Sequence, residues 1–140
     1  MTLNYSKLKS GQMISNRKYV LDIAGLARYL DAVGDKSGKY NINSGLVPPM
    51  AVASLGLRSI AEDVALTGGS LHTGQEFIIR RSARIGEKLT CKATILRNST
   101  RSGWHFIVIN SEIRGDGNSI VMENKTTLAI PSQEGADNKT

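Results

Sequence analysis

The stretch PPMAVASLGLRSIAEDVALTGG, from Pro48 to Gly69, limits most strongly what this chain can become. A proline at the first helical position costs nothing, because the first amides of a helix lack intrahelical partners anyway. Ala53, Leu57, Ile60, Ala61 and Val64 recur at helical spacing. Ser54, Arg58, Glu62 and Asp63 gather on the other side, and Arg58 and Glu62 form an i,i+4 pair. Before Arg58 the only polar residue is Ser54, so the first half is apolar all round and must be deeply buried. Gly56 inside it costs about 1 kcal/mol against alanine, which implies that something packs closely there. Gly68 and Gly69 supply a left-handed stop. The reading is one long central helix, Pro49–Thr67, wrapped by the strands that follow.

Those strands are marked by period and punctuation. Lys18 to Leu21 reads as a short strand leading into a first helix, IAGLARYLDAVG, with Asp22 as N-cap and Gly34 as stop. Asp35 to Val47 is a loop by composition, and a loop of that length in a compact domain is more often functional than not. After the central helix, strands are expected over Gln75–Ala83, from Leu89 through Ile95, over Trp104–Ile113 and over Ser119–Ile130. Leu89, Cys91, Ala93 and Ile95 alternate with Thr90, Lys92 and Thr94, the pattern of a half-buried strand. Arg84 to Lys88 and Asn98 to Gly103 are turns, and Gly115-Asp116-Gly117-Asn118 is a hairpin signal. In the leading polar segment, Met1 to Asn16, the anchors are Leu8, Met13 and Ile14. The order is α+β, an antiparallel sheet of about five strands around one helix, in a single domain over 1–131 with a disordered tail over 132–140.

Bulk properties narrow the function classes. The 140 residues suffice for one real core. No signal peptide and no run of about 20 apolar residues is read, so no membrane association is expected. The single cysteine, Cys91, excludes an internal disulfide and fits a reducing, cytoplasmic setting. A net charge of +6 invites an anionic partner. Nucleic acid is disfavoured, because aromatic residues make up only 5% and none interleaves a basic run. His72 and His105 have no acidic or cysteine cluster around them in sequence, so no metal site is expected.

Three local features, in this order, resemble the MaoC-like family of R-specific enoyl hydratases and 3-hydroxyacyl dehydratases. YLDAVGDKSGKY, Tyr29 to Tyr40, is similar to the family's Y-x-x-x-x-GD-x-x-P-x-H region. Val47-Pro48-Pro49-Met50 opens the central helix as the family does. Arg84-Ile85-Gly86-Glu87-Lys88-Leu89 is similar to its (R/V)-x-GD-x-L turn. The resemblance covers about Met13 to Ile130 and implies a hot-dog fold, an acyl-thioester ligand on coenzyme A or a carrier protein, no metal or redox cofactor, and pairing with a second hot-dog subunit, identical or different.

It also implies a chemistry. Water addition to an α,β-unsaturated thioester needs a base for the water and an acid for the α-carbon. Active relatives use an aspartate and a histidine five residues later, with a backbone amide at the central helix as oxyanion donor. The aspartate maps onto Asp35, but the histidine position holds Tyr40, whose ordinary pKa near 10 makes it a poor base at neutral pH. Pro48-Pro49 stands where relatives place a glycine amide, and proline has no N–H to give. These departures resemble the non-catalytic halves of paired hot-dog dehydratases. The candidate catalytic residues are therefore Asp35 and Tyr40. Val47, Met50, Ala51, Arg80, Arg81 and Arg84 are the candidate substrate-binding residues, the arginines toward an anionic carrier. A catalytic homodimer using Asp35, a binding subunit without activity, and a thioesterase using Glu62 or Asp63 remain as alternatives.

Overall fold

The computed structural model describes residues 3–132. A two-residue strand β1 (Leu3–Asn4) and a 3-10 turn (Tyr5–Lys7) precede β2 (Met13–Val20), and α1 (Ile23–Val33) follows. The central helix α2 (Pro49–Asp63) runs into a second two-residue strand, β3 (Val64–Ala65). Then come β4 (Leu71–Ile79), β5 (Lys88–Arg101), β6 (Trp104–Arg114) and β7 (Ile120–Pro131). The five long strands form one antiparallel sheet in the order β2-β5-β6-β7-β4, with α2 against one face.

Both ends of α1 follow from its sequence. Asp22 accepts the Gly25 N–H at 2.8 Å, and Gly34 takes the left-handed conformation that closes the helix, with φ 70°. The first half of the central helix is buried as expected along Ala51, Val52, Ala53, Leu55 and Gly56, and Ser59 and Ile60 continue the buried face. Of the expected apolar face, however, Leu57 is half-buried and Ala61 is exposed. Gly56 is there for closeness: a β-carbon on it would stand 2.9 Å from Asn124 Nδ2 on β7.

The helix ends four residues before the expected Thr67. Val64 is extended, 2% exposed, and paired with Leu3 in a parallel bridge. Gly69 does adopt a positive φ, but as a turn before β4. The strand edges also move: β2 begins at Met13, β4 spans Leu71–Ile79 rather than Gln75–Ala83, and β5 continues through the stretch expected to turn at Asn98. That turn is held to Ser102 and Gly103.

Two apolar clusters fill the space between helix and sheet. One joins Val47, Ala51, Val52 and Leu55 to Leu89, Cys91, Ile113 and Met122. The other joins Ile60 and Val64 to Ile95, Ile107, Ile109 and Ile130, and is closed by Tyr5 and Leu8. Of the expected N-terminal anchors Leu8 and Ile14 are buried, whereas Met13 is 56% exposed and Tyr5 takes its place. The Ser132 N–H donates to the Gly103 carbonyl at 2.8 Å, one residue past the expected end of the domain. The rest of the expected tail, 133–140, lies outside the described residues.

Candidate functional site

The loop after α1 starts from a fixed point, because the Asp35 N–H donates to the Leu30 carbonyl at 2.9 Å as part of the helix stop. Its carboxylate accepts the Ser37 N–H at 2.9 Å. The hydroxyl and amide of Ser37, and then Lys39, hold the Asp35 carboxyl below its ordinary value of 3.8. A carboxylate stabilised in its ionised form is a weak base. Tyr40, half-buried, ends this turn-rich segment, and Tyr29 faces the same locale from α1. The Tyr29 phenol is pushed up by burial first, then by the neighbouring Asp35 and Tyr40. Asp35 and Tyr40 thus both lie within electrostatic reach of the Tyr29 phenol.

Farther along, the loop is stitched to the turn before β5. Val47 N–H donates to the Ala83 carbonyl at 3.0 Å, and Ile85 N–H to the Gly45 carbonyl at 2.9 Å. This joins two of the segments that carried the sequence resemblance. At the helix start the amides are nearly exhausted. Pro48 and Pro49 have none, the Val47 amide is committed to Ala83, and the Ala51 amide to the Pro48 carbonyl at 3.0 Å. Among the described residues only the Met50 N–H lacks a partner there, on a residue that is 44% exposed. Val47 and Ala51 are buried at 2% and 1%, so their side chains serve the core.

The arginines separate. Arg80 pairs with Glu123 at 2.7 Å, and Arg81 pairs with Glu87, which also accepts the Arg84 and Asp116 N–H groups at 3.0 and 2.8 Å. Of these three, only the Arg84 guanidinium has no carboxylate partner among the described residues, and its residue bridges to Leu46 in the loop. Arg84 is therefore the one of the three set beside the helix entrance. Glu62 and Asp63 are occupied too: Arg17 reaches Glu62 at 3.2 Å and Asp63 at 2.8 Å, and Arg58 reaches Glu62 at 2.8 Å.

Sequence reasoning missed a buried polar pair under Gly56. Ser111 and Asn124 face each other in register, are 1% and 2% exposed, and have no hydrogen-bond partner for Ser111 Oγ or for either polar atom of the Asn124 amide. The only sequence signal was Gly56 itself. His72 is exposed and meets Gln75 at 2.8 Å, while His105 packs edge-on against Tyr5 with ring centres 5.3 Å apart. No three of His, Cys, Asp and Glu gather into a metal-binding group among the described residues. No helix among them is long and apolar enough to cross a membrane.

No family model matches the chain, and no curated protein matches it either. Solved structures do. The unliganded R-hydratase PhaJ1 of Pseudomonas aeruginosa superimposes with a TM-score of 0.74 at 14% identity, covering 92% of this chain and 86% of that one. The chain has the hot-dog fold. A MaoC-like dehydratase from Rhodospirillum rubrum gives a TM-score of 0.71 at 13% identity, covering 91% of this chain and 96% of that one. The C-terminally truncated HadBC complex, a 3R-hydroxyacyl-ACP dehydratase from Mycobacterium tuberculosis, gives 0.70 at 19% identity over 86% of this chain and 96% of that one. The hot dog accounts for the layout: its helix is α2, its wrapping sheet is β2-β5-β6-β7-β4, and the loop carrying Asp35 leads to the start of the helix.

Proposed function

We propose that this hot dog, a single domain over 1–131, is a subunit of an enoyl-thioester hydratase or 3-hydroxyacyl-thioester dehydratase. It shapes the acyl site beside a second hot-dog subunit that carries the catalytic carboxylate and imidazole. The ligand is an acyl chain on coenzyme A or on a carrier protein, and the setting is cytoplasmic. The neighbours named as hydratases and dehydratases, one of them a complex, support the reaction class and the pairing.

The observation that carries the non-catalytic role is the state of the two catalytic devices. Asp35 is turned into its own loop by Ser37 and held as a weak base, and its companion is Tyr40, not an imidazole. The oxyanion donor has contracted to the single Met50 amide beside two prolines. In this reading Arg84 meets the anionic carrier at the helix entrance, supported by its being the one of the three arginines without a carboxylate partner among the described residues. A self-sufficient homodimer is the second reading, favoured by the shared locale of Asp35, Tyr40 and Tyr29. A thioesterase ranks below both, because Glu62 and Asp63 are tied to arginines.

The test is hydration of a short trans-2-enoyl-CoA by the purified chain. The expected result is acyl-CoA binding without turnover, and turnover once a subunit bearing the Asp/His pair is added. Turnover by the chain alone that disappears in Asp35→Asn would establish the homodimeric enzyme instead.

A further inference from the structure

The rung of the sheet beneath the middle of α2 is unusually polar for a core. Register sets Ser15, Ala93, Ser111, Asn124 and Phe77 side by side across the five strands, on the face turned to the helix. At the β2 end the polar groups are engaged. Ser15 Oγ reaches the Ser59 carbonyl at 3.1 Å and Asp63 Oδ2 at 2.5 Å, and Ser59 Oγ donates to the Gly56 carbonyl at 2.9 Å. Under Gly56 they are not. Ser111 Oγ, Asn124 Nδ2 and Asn124 Oδ1 are all buried with no hydrogen-bond partner among the described residues. Burying a hydroxyl or a carboxamide without a partner is costly, and native cores pair nearly all such groups.

Size, access and charge decide what the partner is. Gly56 brings the helix so close that a β-carbon would stand 2.9 Å from Asn124 Nδ2 and 3.3 Å from Ile113 Cδ1, which leaves a carbon chain no passage at this point. At 1% and 2% exposure, Ser111 and Asn124 are out of reach of a side chain from another subunit. Neither residue is charged, nor are Ala93, Phe77, Gly56 and Ile113 beside them, so a buried ion would have no counter-charge. Water is small and neutral, and it both donates and accepts, as a hydroxyl beside a carboxamide requires.

We propose that Ser111 and Asn124 form a buried water site between α2 and the sheet. Ordered water bridges the Ser111 hydroxyl and the Asn124 amide and is a fixed part of the core. Gln75 marks the side from which it exchanges with solvent. Gln75 is paired with Thr126 in register, which makes it the diagonal neighbour of Asn124 on the edge strand β4. Its Oε1 accepts from Thr126 Oγ1 at 2.9 Å, and its Nε2 is again buried without a partner among the described residues. The site is independent of the reaction that the chain serves.

Two measurements test it. A crystal structure of the chain, at a resolution that shows ordered water, is expected to hold density within hydrogen-bond distance of both Ser111 Oγ and the Asn124 amide. A niche without density would overturn the proposal. The second measurement is the sign of a stability change in Ser111→Ala. Alanine fits the position, because Ala93 stands opposite on the same face. If water satisfies the hydroxyl, its removal breaks a hydrogen bond and lowers the melting temperature by about 3 °C. If the hydroxyl is bare, its removal relieves a desolvation cost, and the melting temperature stays or rises. That second outcome would also overturn the proposal. Should Ser111→Ala fail to fold, the density in the wild-type crystal still decides.

Discussion

Glu87 is the one buried carboxylate among the described residues, at 6% exposure. It ties the turn before β5 to the β6–β7 hairpin through Arg81 and through the Arg84 and Asp116 amides. Gly115 is required beside it, since a β-carbon there would overlap the Glu87 carboxylate and the Arg81 guanidinium. Arg81 above all, and the two amides, hold the Glu87 carboxyl at about 2, against an ordinary 4.5. A carboxyl lowered by folding contributes stability that is complete above its unfolded pKa and is lost as pH falls through the folded one. Glu87→Gln is expected to cost about 3 kcal/mol near neutral pH, with the deficit shrinking between pH 4.5 and 2. Urea unfolding at a series of pH values measures it, and a deficit that does not vary with pH would remove the carboxylate charge as the cause. Cys91 makes the opposite residue-scale point. Burial pushes its thiol up to about 12, and the thiolate is the reactive form. Alkylation by iodoacetamide is therefore expected only after unfolding, and labelling of the native protein at the unfolded rate would contradict its burial.

At the scale of elements, Gly56 sets how closely α2 lies on β7. Alanine there would gain about 1 kcal/mol of helix propensity. Its β-carbon, however, would meet Asn124 Nδ2 at 2.9 Å and Ile113 Cδ1 at 3.3 Å. Overpacking of a tight core costs about 1–3 kcal/mol, so Gly56→Ala is expected to lower the melting temperature, and Asn124→Ala in the same chain to recover part of the loss. A higher melting temperature would mean that the gap closes freely. The close approach at Gly56 was legible because a glycine inside a helix otherwise only costs stability, and both caps of α1 and the period-two pattern of β5 because each is decided by neighbours in the chain. The end of α2 was not. Val64-Ala65-Leu66 suits helix or strand equally, and the choice is made by Leu3, far away in sequence. The candidate site divides in the same way. Asp35 and Tyr40 sit on one loop and could be placed together, whereas Arg80 loses its freedom to Glu123, 43 residues on, through a register that no local pattern reveals.

For the molecule as a whole, the beginning of the chain closes one end of the core. Tyr5 is 4% exposed, its hydroxyl donates to the Pro131 carbonyl at 3.1 Å, and its ring packs on His105. Asn98 Nδ2 donates to the Tyr5 and Leu8 carbonyls at 3.0 and 2.9 Å, fixing the segment to β5. One side chain from the start of the chain thereby touches the strand ends contributed by β6 and β7. Replacing a buried aromatic residue by alanine costs about 3 kcal/mol or more. If the segment belongs to the cooperative core, Tyr5→Ala lowers the melting temperature of the entire sheet. Trp104, the only tryptophan, reports on that end, since it pairs with Pro131 across the β6–β7 ladder. Its fluorescence and the far-ultraviolet circular dichroism are expected to shift together in Tyr5→Ala, with coincident midpoints. A tryptophan transition that moves to lower temperature while the dichroism stays in place would make the segment a separable flap, and the core would then have to be complete without it.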